Sequence, residues 1–385
     1  MIKVGNKNFL VLFCISFIYA YLQGGNLPYS IFYALLCIVS FSLIYVLIIG
    51  RNIVIDIKFS RDTFYTFEDT EIHTVIKNYG ILPVYYIEMH NTVLYELDKS
   101  YKGYVFSLDM DANKRLNTKV RFFTRGIYNF GESKLYFKDF FSLFNFEKVI
   151  KKRNIIKVYP KIYHLDKFNF SGEDLFNTTI KEKGNIREDY SISDIRKYRT
   201  GDNLRNIHWK ISAKYGELYT KNLEMVNGEK TNIILNMNKE DYFNEKSEEK
   251  EEELIDLTSS LINMMIVRGI KSNLHICNNE MKSFSVSKRN DFQEIMEYFL
   301  MHKSEGEEDF FKFIIDNLNR IDKNSFVILI TPKINEQIKD NLIYLRRLGY
   351  KILAFYSVSS FDNIENVSTL KEMNIRCISF NEAIG

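Results

Sequence analysis

Two uncharged apolar runs near the N-terminus constrain this chain more than any other feature. Residues 9–22 are apolar apart from Ser16, and residues 29–49 form a second run, close to the ~20 residues that a membrane-spanning helix needs. The stretch between them, Gln23-Gly24-Gly25-Asn26-Leu27-Pro28, has the composition of a turn. Lys3 and Lys7 precede the first run, and Arg51, Lys58 and Arg61 follow the second. Positive flanks stay in the cytoplasm, so both ends are expected there and the turn outside. The expectation is a two-helix transmembrane hairpin over residues 1–50, in a multi-pass cell-membrane protein whose soluble domains are cytoplasmic. Two other readings fit the same runs. The first could be a cleaved signal peptide, in which case the second stops transfer and the body still ends in the cytoplasm. Alternatively both could be core helices of a soluble protein.

The remainder has an ordinary globular balance, with 26% charged and 46% hydrophobic residues over the whole chain, so a real core is expected and global disorder is excluded. A net charge of +3 gives no reason to expect nucleic acid as a partner. Cys14, Cys37, Cys277 and Cys377 form no CxxC pair, which argues against disulfides and zinc and suits a reducing compartment. The abundance of Lys, Ile, Phe and Tyr beside four Pro and one Trp suggests an AT-rich bacterial genome.

Three segments follow the apolar runs. Over residues 51–162 short alternating runs such as Glu71-Ile72-His73-Thr74-Val75-Ile76-Lys77 recur between turns, which predicts an antiparallel β-sandwich. Residues 163–229 read as a linker followed by a dense motif segment. From residue 230 to 385 continuous apolar strands such as Phe326-Val327-Ile328-Leu329-Ile330 alternate with amphipathic helices, which predicts a doubly wound α/β domain. The acidic run Glu248, Glu249, Glu251, Glu252, Glu253 reads as the solvated first turn of a helix.

The motif segment, residues 194–214, carries the sole Trp. Thr200-Gly201-Asp202 predicts a turn ending in an N-cap at Asp202, with a helix over residues 203–214. On such a helix Arg205, His208 and Trp209 share a face that Ser212 and Ala213 extend. One reading is an anion or partner site formed by Arg196, Arg205, His208 and Lys210 around Trp209. The other is a structural clasp in which Asp194 and Asp202 pair with Arg196 and Arg205 and Trp209 packs as core. No activated nucleophile lies beside His208 in sequence, which favours the clasp.

This segment resembles the signature of the bacterial domain of unknown function 58 family, an Arg-x-Tyr-x-x-Gly-Asp run followed by Arg-x-Ile-His-Trp-Lys-x-Ser-Ala. Arg196, Tyr198, Gly201, Asp202, Arg205, Ile207, His208, Trp209, Lys210, Ser212 and Ala213 match it. Upstream, Arg125-Gly126-Ile127-Tyr128 and Asp139-Phe140-Phe141-Ser142-Leu143-Phe144 resemble that family's Arg-Gly-x-Tyr and Asp-Pro-Phe-Gly-Leu-Phe stretches, the second without its Pro and Gly. The resemblance implies a C-terminal module similar to a von Willebrand factor A domain. It further implies association with MoxR-type AAA+ ATPases and transglutaminase-like membrane proteins, and no established enzymatic activity. Metal-binding A domains carry Asp-x-Ser-x-Ser after the first strand. Here that place reads Asn236-Met237-Asn238-Lys239-Glu240, in which a neutral Asn replaces the leading carboxylate and both hydroxyls are missing, so no metal and no cofactor are expected.

Two functions remain. The first is a non-enzymatic scaffold or adaptor, held by the lipid bilayer, that presents the α/β module to a partner such as an AAA+ ATPase. The second is a hydrolase or transferase that uses His208, with Asp202 or Asp194 orienting it.

Overall fold

The computed structural model describes residues 2–165, 190–198, 207–225, 231–242, 247–321, 325–357 and 362–384. The chain divides into two compact units, residues 1–159 and 160–385.

The first unit opens with a short strand β1 (Ile2–Val4), then helices α1 (Lys7–Gln23) and α2 (Asn26–Asn52). Asn6 caps α1, its Oδ1 accepting from the backbone N–H of Asn8 and Phe9 at 3.1 and 3.3 Å. Gly24 and Gly25 sit at φ 64° and 85°, a region that glycine enters freely and that lets the chain reverse in two residues. The helices pack together through Phe13, Phe17 and Phe32, with ring centroids 5.3–5.4 Å apart. Of the two apolar runs, only the second forms a helix long and apolar enough to cross a membrane, judged by length and composition; α1 is shorter, at 17 residues.

The strands of this unit are β2 (Ile53–Phe59), β3 (Thr63–Tyr65), β4 (Asp69–Asn78) and β5 (Val84–Asn91), then helix α3 (Thr92–Leu97). They continue with β6 (Tyr104–Leu108), β7 (Asn113–Arg121), β8 (Gly126–Asn129), β9 (Glu132–Lys138), β10 (Phe144–Lys151) and β11 (Ile155–Tyr159). A five-stranded sheet runs β1-β10-β9-β5-β6, and two three-stranded sheets run β2-β4-β7 and β3-β11-β8. The alternation in β4 buries Ile72, Thr74 and Ile76 on one side. Ile53, Ile55 and Ile76 meet Ile87, Met89, Leu135 and Phe137 of the five-stranded sheet across one core, which Tyr45, Val46 and Ile49 of α2 close. The expected sandwich is thus sheet-rich as read, with one departure: β3 and β11 pair in parallel. Two further contacts were invisible in the sequence. β1 adds an edge strand to β10, and α2 enters the core where Gly50 leaves room for Phe146; a Cβ on Gly50 would stand 2.3 Å from that ring.

The second unit begins with β12 (Tyr190–Lys197), α4 (Trp209–Tyr215) and β13 (Tyr219–Met225). It continues with β14 (Thr231–Asn236), α5 (Lys239–Tyr242), α6 (Ser247–Val267), β15 (Ser272–Cys277), β16 (Met281–Val286), α7 (Arg289–Met301) and α8 (Phe310–Asp316). It ends with β17 (Phe326–Thr331), α9 (Glu336–Arg347), β18 (Lys351–Tyr356), α10 (Asp362–Glu372), β19 (Arg376–Ser379) and α11 (Phe380–Ile384). A six-stranded sheet runs β16-β15-β14-β17-β18-β19, parallel except for the edge strand β16. Along β14, Ile233 and Leu235 join the core cluster that includes α6 and α7. Ile234 joins the cluster that includes α8 and α9 on the opposite face. Both faces are covered, which is why these strands are apolar without alternation.

Residues 160–162, read as the end of the sandwich, and residues 163–165, read as the start of a linker, are docked on α6. Lys161 N–H donates to Asp256 Oδ1 at 2.8 Å, Tyr163 N–H to Ser260 Oγ at 2.9 Å, and Leu165 is in the core. The linker also ends earlier than expected, because Tyr190 already begins β12. The acidic start of α6 is solvated at its first turn, where Glu248 and Glu249 are exposed, but the run then turns inward: Glu252 is buried, as are Lys250 before it and Asp256 a turn further on. Its carboxylates serve the surrounding loops, Glu251 accepting from Ser304 N–H at 3.0 Å and Glu253 from the Ser357 hydroxyl. Burial, together with the carboxylates of Asp256 and Glu253, pushes the Tyr163 phenol up to about 12.

Candidate functional site

The motif segment folds as a two-stranded antiparallel ribbon carrying a short helix. β12 pairs with β13 from Tyr190↔Met225 to Lys197↔Tyr219, so Arg196 stands opposite Thr220. Tyr198 N–H donates to Leu218 O at 2.8 Å, and His208 N–H to Tyr219 O at 2.8 Å, which tie both ends of the insertion to β13. Lys197 pairs with Glu217, and that carboxylate raises the Lys197 ammonium above its ordinary range. Ile207 is buried and bridges Thr220.

The helix starts later than the spacing predicted. Its N-cap is His208, whose Nδ1 accepts from Ile211 N–H at 3.3 Å, and it spans only Trp209–Tyr215. Gly216 closes it in the left-handed conformation, as Gly commonly does. The expected N-cap at Asp202, and with it Gly201 and Arg205, lies outside the described residues. An imidazole whose Nδ1 lone pair caps a helix keeps its N–H on Nε2. His208 therefore has a structural task in the cap.

The core role expected of Trp209 is overturned, since its side chain is 67% exposed. The packed residue is Ser212, which is buried and accepts from Tyr219 N–H at 2.9 Å. Ser212 and Ala213 thus do not extend one stripe: Trp209, Lys210, Ala213 and Lys214 form the solvent face, and Ser212 the inner one. An exposed indole followed by an exposed lysine, on a helix tied to β13 at its N-cap and through Ser212, suits recognition of an acidic surface.

A second candidate site lies at the carboxyl ends of the parallel strands. The chain leaves β14 towards β15 and later returns to its other side as β17, and ligands of open α/β sheets bind at such a switch point. There Asn236 Nδ2 donates to Asp241 Oδ2 at 2.8 Å and to Thr331 Oγ1 at 3.2 Å, while its Oδ1 accepts from Asn238 N–H at 2.9 Å. Lys333 Nζ lies 3.3 Å from Asp241 Oδ1. An amide N–H and an ammonium thus occupy the sides of Asp241 that a cation would need, and this donor set does not fit a hard metal ion. Beside it an open crevice of about 660 Å³ is lined by Lys239, Glu240, Gly306 and Glu307. Lys239 N–H donates to Gly306 O at 2.8 Å and Gly306 N–H to Met237 O at 3.1 Å. A Cβ on Gly306 would stand 3.1 Å from Met237 O, so the close approach of the two backbones favours glycine there. Sequence reading missed this wall, because Gly306 is about seventy residues from Met237 and no local pattern marks the pair.

A model of the family described as protein of unknown function DUF58 matches residues 194–355, which span the motif ribbon and most of the parallel sheet. No curated protein matches the chain. Among solved structures, it is similar to a CARDB domain from Pyrococcus furiosus in complex with di-metal ions. The identity is 15% over 28% of this chain and 87% of that one, at a TM-score of 0.19. Proximal thread matrix protein 1 from the mussel byssus is 16% identical over 40% of this chain and 44% of its own, at a TM-score of 0.28. The sporulation control protein Spo0M from Bacillus subtilis is 9% identical over 38% and 59%, at a TM-score of 0.19.

Proposed function

Residues 194–355 belong to the family of unknown function DUF58, and from that premise we propose that the chain is a membrane-anchored scaffold or adaptor without a catalytic step of its own. The observation that carries this reading is the exposed Trp209, flanked by Lys210, on a helix hydrogen-bonded to a β-ribbon at its N-cap and through Ser212. A large aromatic held rigidly in water is costly to a lone protein and is the residue type that dominates binding energy at interfaces. Arg196, Tyr198, His208 and Ser212 build or border that platform, and Gly201, Asp202 and Arg205, which belong to the same motif, lie outside the described residues. The partner is a protein with an acidic surface, and a MoxR-type AAA+ ATPase is the candidate; a transglutaminase-like membrane protein is a further one. The α/β unit presented is of the von Willebrand factor A-like kind, with its metal position replaced by the Asn236 amide.

Anchoring falls to α2, with α1 returning the chain across the bilayer. β1 and β2, at the two outer ends of the hairpin, belong to the same unit, which supports a topology with both ends on one side of the membrane. Lys3, Lys7, Arg51, Lys58 and Arg61 make that side the cytoplasm.

The test is binding of a purified MoxR-type AAA+ ATPase from the same organism to the full chain in lipid nanodiscs. Wild type binds, and Trp209→Ala weakens binding by more than about thirtyfold, the loss that an interface hot spot of ~2 kcal/mol gives. Equal affinity for the variant would sink the recognition role of Trp209. No binding by the wild type would remove this class of partner.

A further inference from the structure

Two loops of the first unit meet the base of the helical hairpin and carry exposed apolar tips. Tyr79 N–H donates to Asn52 O at 3.0 Å at the end of α2, and the Tyr45 hydroxyl donates to Pro83 O at 2.7 Å. On the other side Gly5 N–H, just before α1, donates to Leu143 O at 2.8 Å. The first loop exposes Ile81 by 82%; Tyr85, which follows it, is 54% exposed, and Phe140 of the second loop 62%. Phe140 stands edge-on to Tyr85 at 5.1 Å and to Phe141 at 5.4 Å, so the two loops form one aromatic surface.

These tips are held outward by buried polar residues. Asn78 donates through Nδ2 to Leu82 O and Asp109 O at 2.8 and 3.0 Å and accepts from Gly80 N–H at 3.0 Å. Asp139 accepts from Phe141 N–H at 3.0 Å and from Phe144 N–H at 2.7 Å. A loop fixed in this way cannot fold its aromatic rings back onto the core.

α2 gives the level. At Tyr45, Val46 and Ile49 its inner face is in the β core, while Ile44, Leu47 and Ile48 on its outer face remain exposed and apolar. The first charge on the helix is Arg51. The apolar surface of α2 thus continues past Tyr45, and Tyr45 is hydrogen-bonded to the loop that ends at Pro83. α1, with 17 residues, is about 26 Å long at ~1.5 Å per residue, less than the ~30 Å of a hydrocarbon core. A bilayer that covers the apolar face of α2 therefore reaches the loops.

We propose that Ile81, Tyr85, Phe140 and Phe141 form a collar around the hairpin base that inserts into the interfacial layer of the lipid bilayer. Amphipathic rings prefer that layer, and Lys3 and Lys7 beside the collar reach towards anionic headgroups. This rests on the reading that the hairpin is embedded in a membrane.

The test uses the full chain with Cys14→Ala and Cys37→Ala, reconstituted in nanodiscs of phosphatidylcholine and phosphatidylglycerol. Single cysteines at Ile81, Phe140, Leu36 or Tyr95 carry a nitroxide, and its accessibility to oxygen and to a water-soluble nickel chelate gives depth. Leu36 is on the exposed side of α2. Tyr95 is on α3, beyond the far end of β5, about 20 Å along that strand from Tyr85 at ~3.3 Å per residue. Leu36 should read deep, Ile81 and Phe140 shallow but lipid-exposed, and Tyr95 aqueous. Ile81 and Phe140 reading like Tyr95 while Leu36 reads deep overturns the collar and leaves the anchor standing. An aqueous reading at Leu36 overturns the anchor itself.

Discussion

Replacing Trp209 with Ala separates a recognition surface from a structural clasp. Trp209 is 67% exposed, so only its inner third is removed from water by the fold. A Trp buries up to ~250 Å² when fully enclosed, so the covered part is about 80 Å². At ~25 cal/mol per Å² this is worth at most about 2 kcal/mol, and less because the unfolded chain already shields some of it. Trp209 is also the first residue of its helix, where Ala is the better helix former. The expected cost is about 1 kcal/mol, or about 2–4 °C in Tm for a domain of ~150–250 residues. Phe355, fully buried in the α/β core, is the comparison: its truncation should cost ~3–5 kcal/mol, about 6–20 °C. Melting of the full chain should be followed by circular dichroism, since the variant loses the sole Trp. In wild type the same residue should show red-shifted emission and efficient iodide quenching. A Tm loss for Trp209→Ala as large as that for Phe355→Ala, with blue-shifted, unquenched wild-type emission, would show that Trp209 is core and that the clasp was right.

Asp291 accepts from Ser287 and Lys288 N–H at the start of α7, and those donors hold its carboxyl below the ordinary 3.8. A depressed folded-state value means stability that is full above the unfolded value and lost as pH falls through the folded one. Asp291→Asn should therefore be less stable than wild type in urea melts at pH 6, with the difference closing below pH 3.8; a gap that widens in acid refutes this. Gly131→Ala would place a Cβ 1.3 Å from Lys152 O, forcing β9 and β10 apart at a cost of about 1–3 kcal/mol, and an unchanged unfolding midpoint would contradict that clash. Millimolar magnesium should leave the Tm of the full chain unchanged, because the Asn236 amide and Lys333 surround Asp241. A native-state site filled at a hundred times its Kd would instead add about 2.7 kcal/mol, and a rise abolished by Asp241→Ala would refute the misfit.

Several features of this protein were readable from local sequence because the physics behind them is local. The apolar run that became α2 is a sum of side-chain transfer energies along one helix. Phe326-Val327-Ile328-Leu329-Ile330 announced a strand covered on both faces, and helices on both sides of β17 cover it. The motif residues identified the family from their order alone. What the sequence could not decide depended on residues far away in the chain. Asp202 was the expected cap and lies outside the described residues; the cap of the described helix is His208, whose backbone N–H is anchored to Tyr219 O of β13. Trp209 and Ser212 were assigned to core and stripe by hydrophobicity. The helix's orientation on β13 buried the serine and left the indole in water. Glu252 looked solvated as part of a charge run, yet packing turned it inward, and Asp256, a turn further on, accepts from Lys161, ninety-five residues earlier. The three residues of β1 carry too little pattern to be read as a strand, and their pairing with β10 spans the whole hairpin and half the sheet. Hydropathy, propensity and motif order are properties of a segment. Which side of that segment meets water is set by whatever the rest of the chain brings against it, and that is decided only when the core closes.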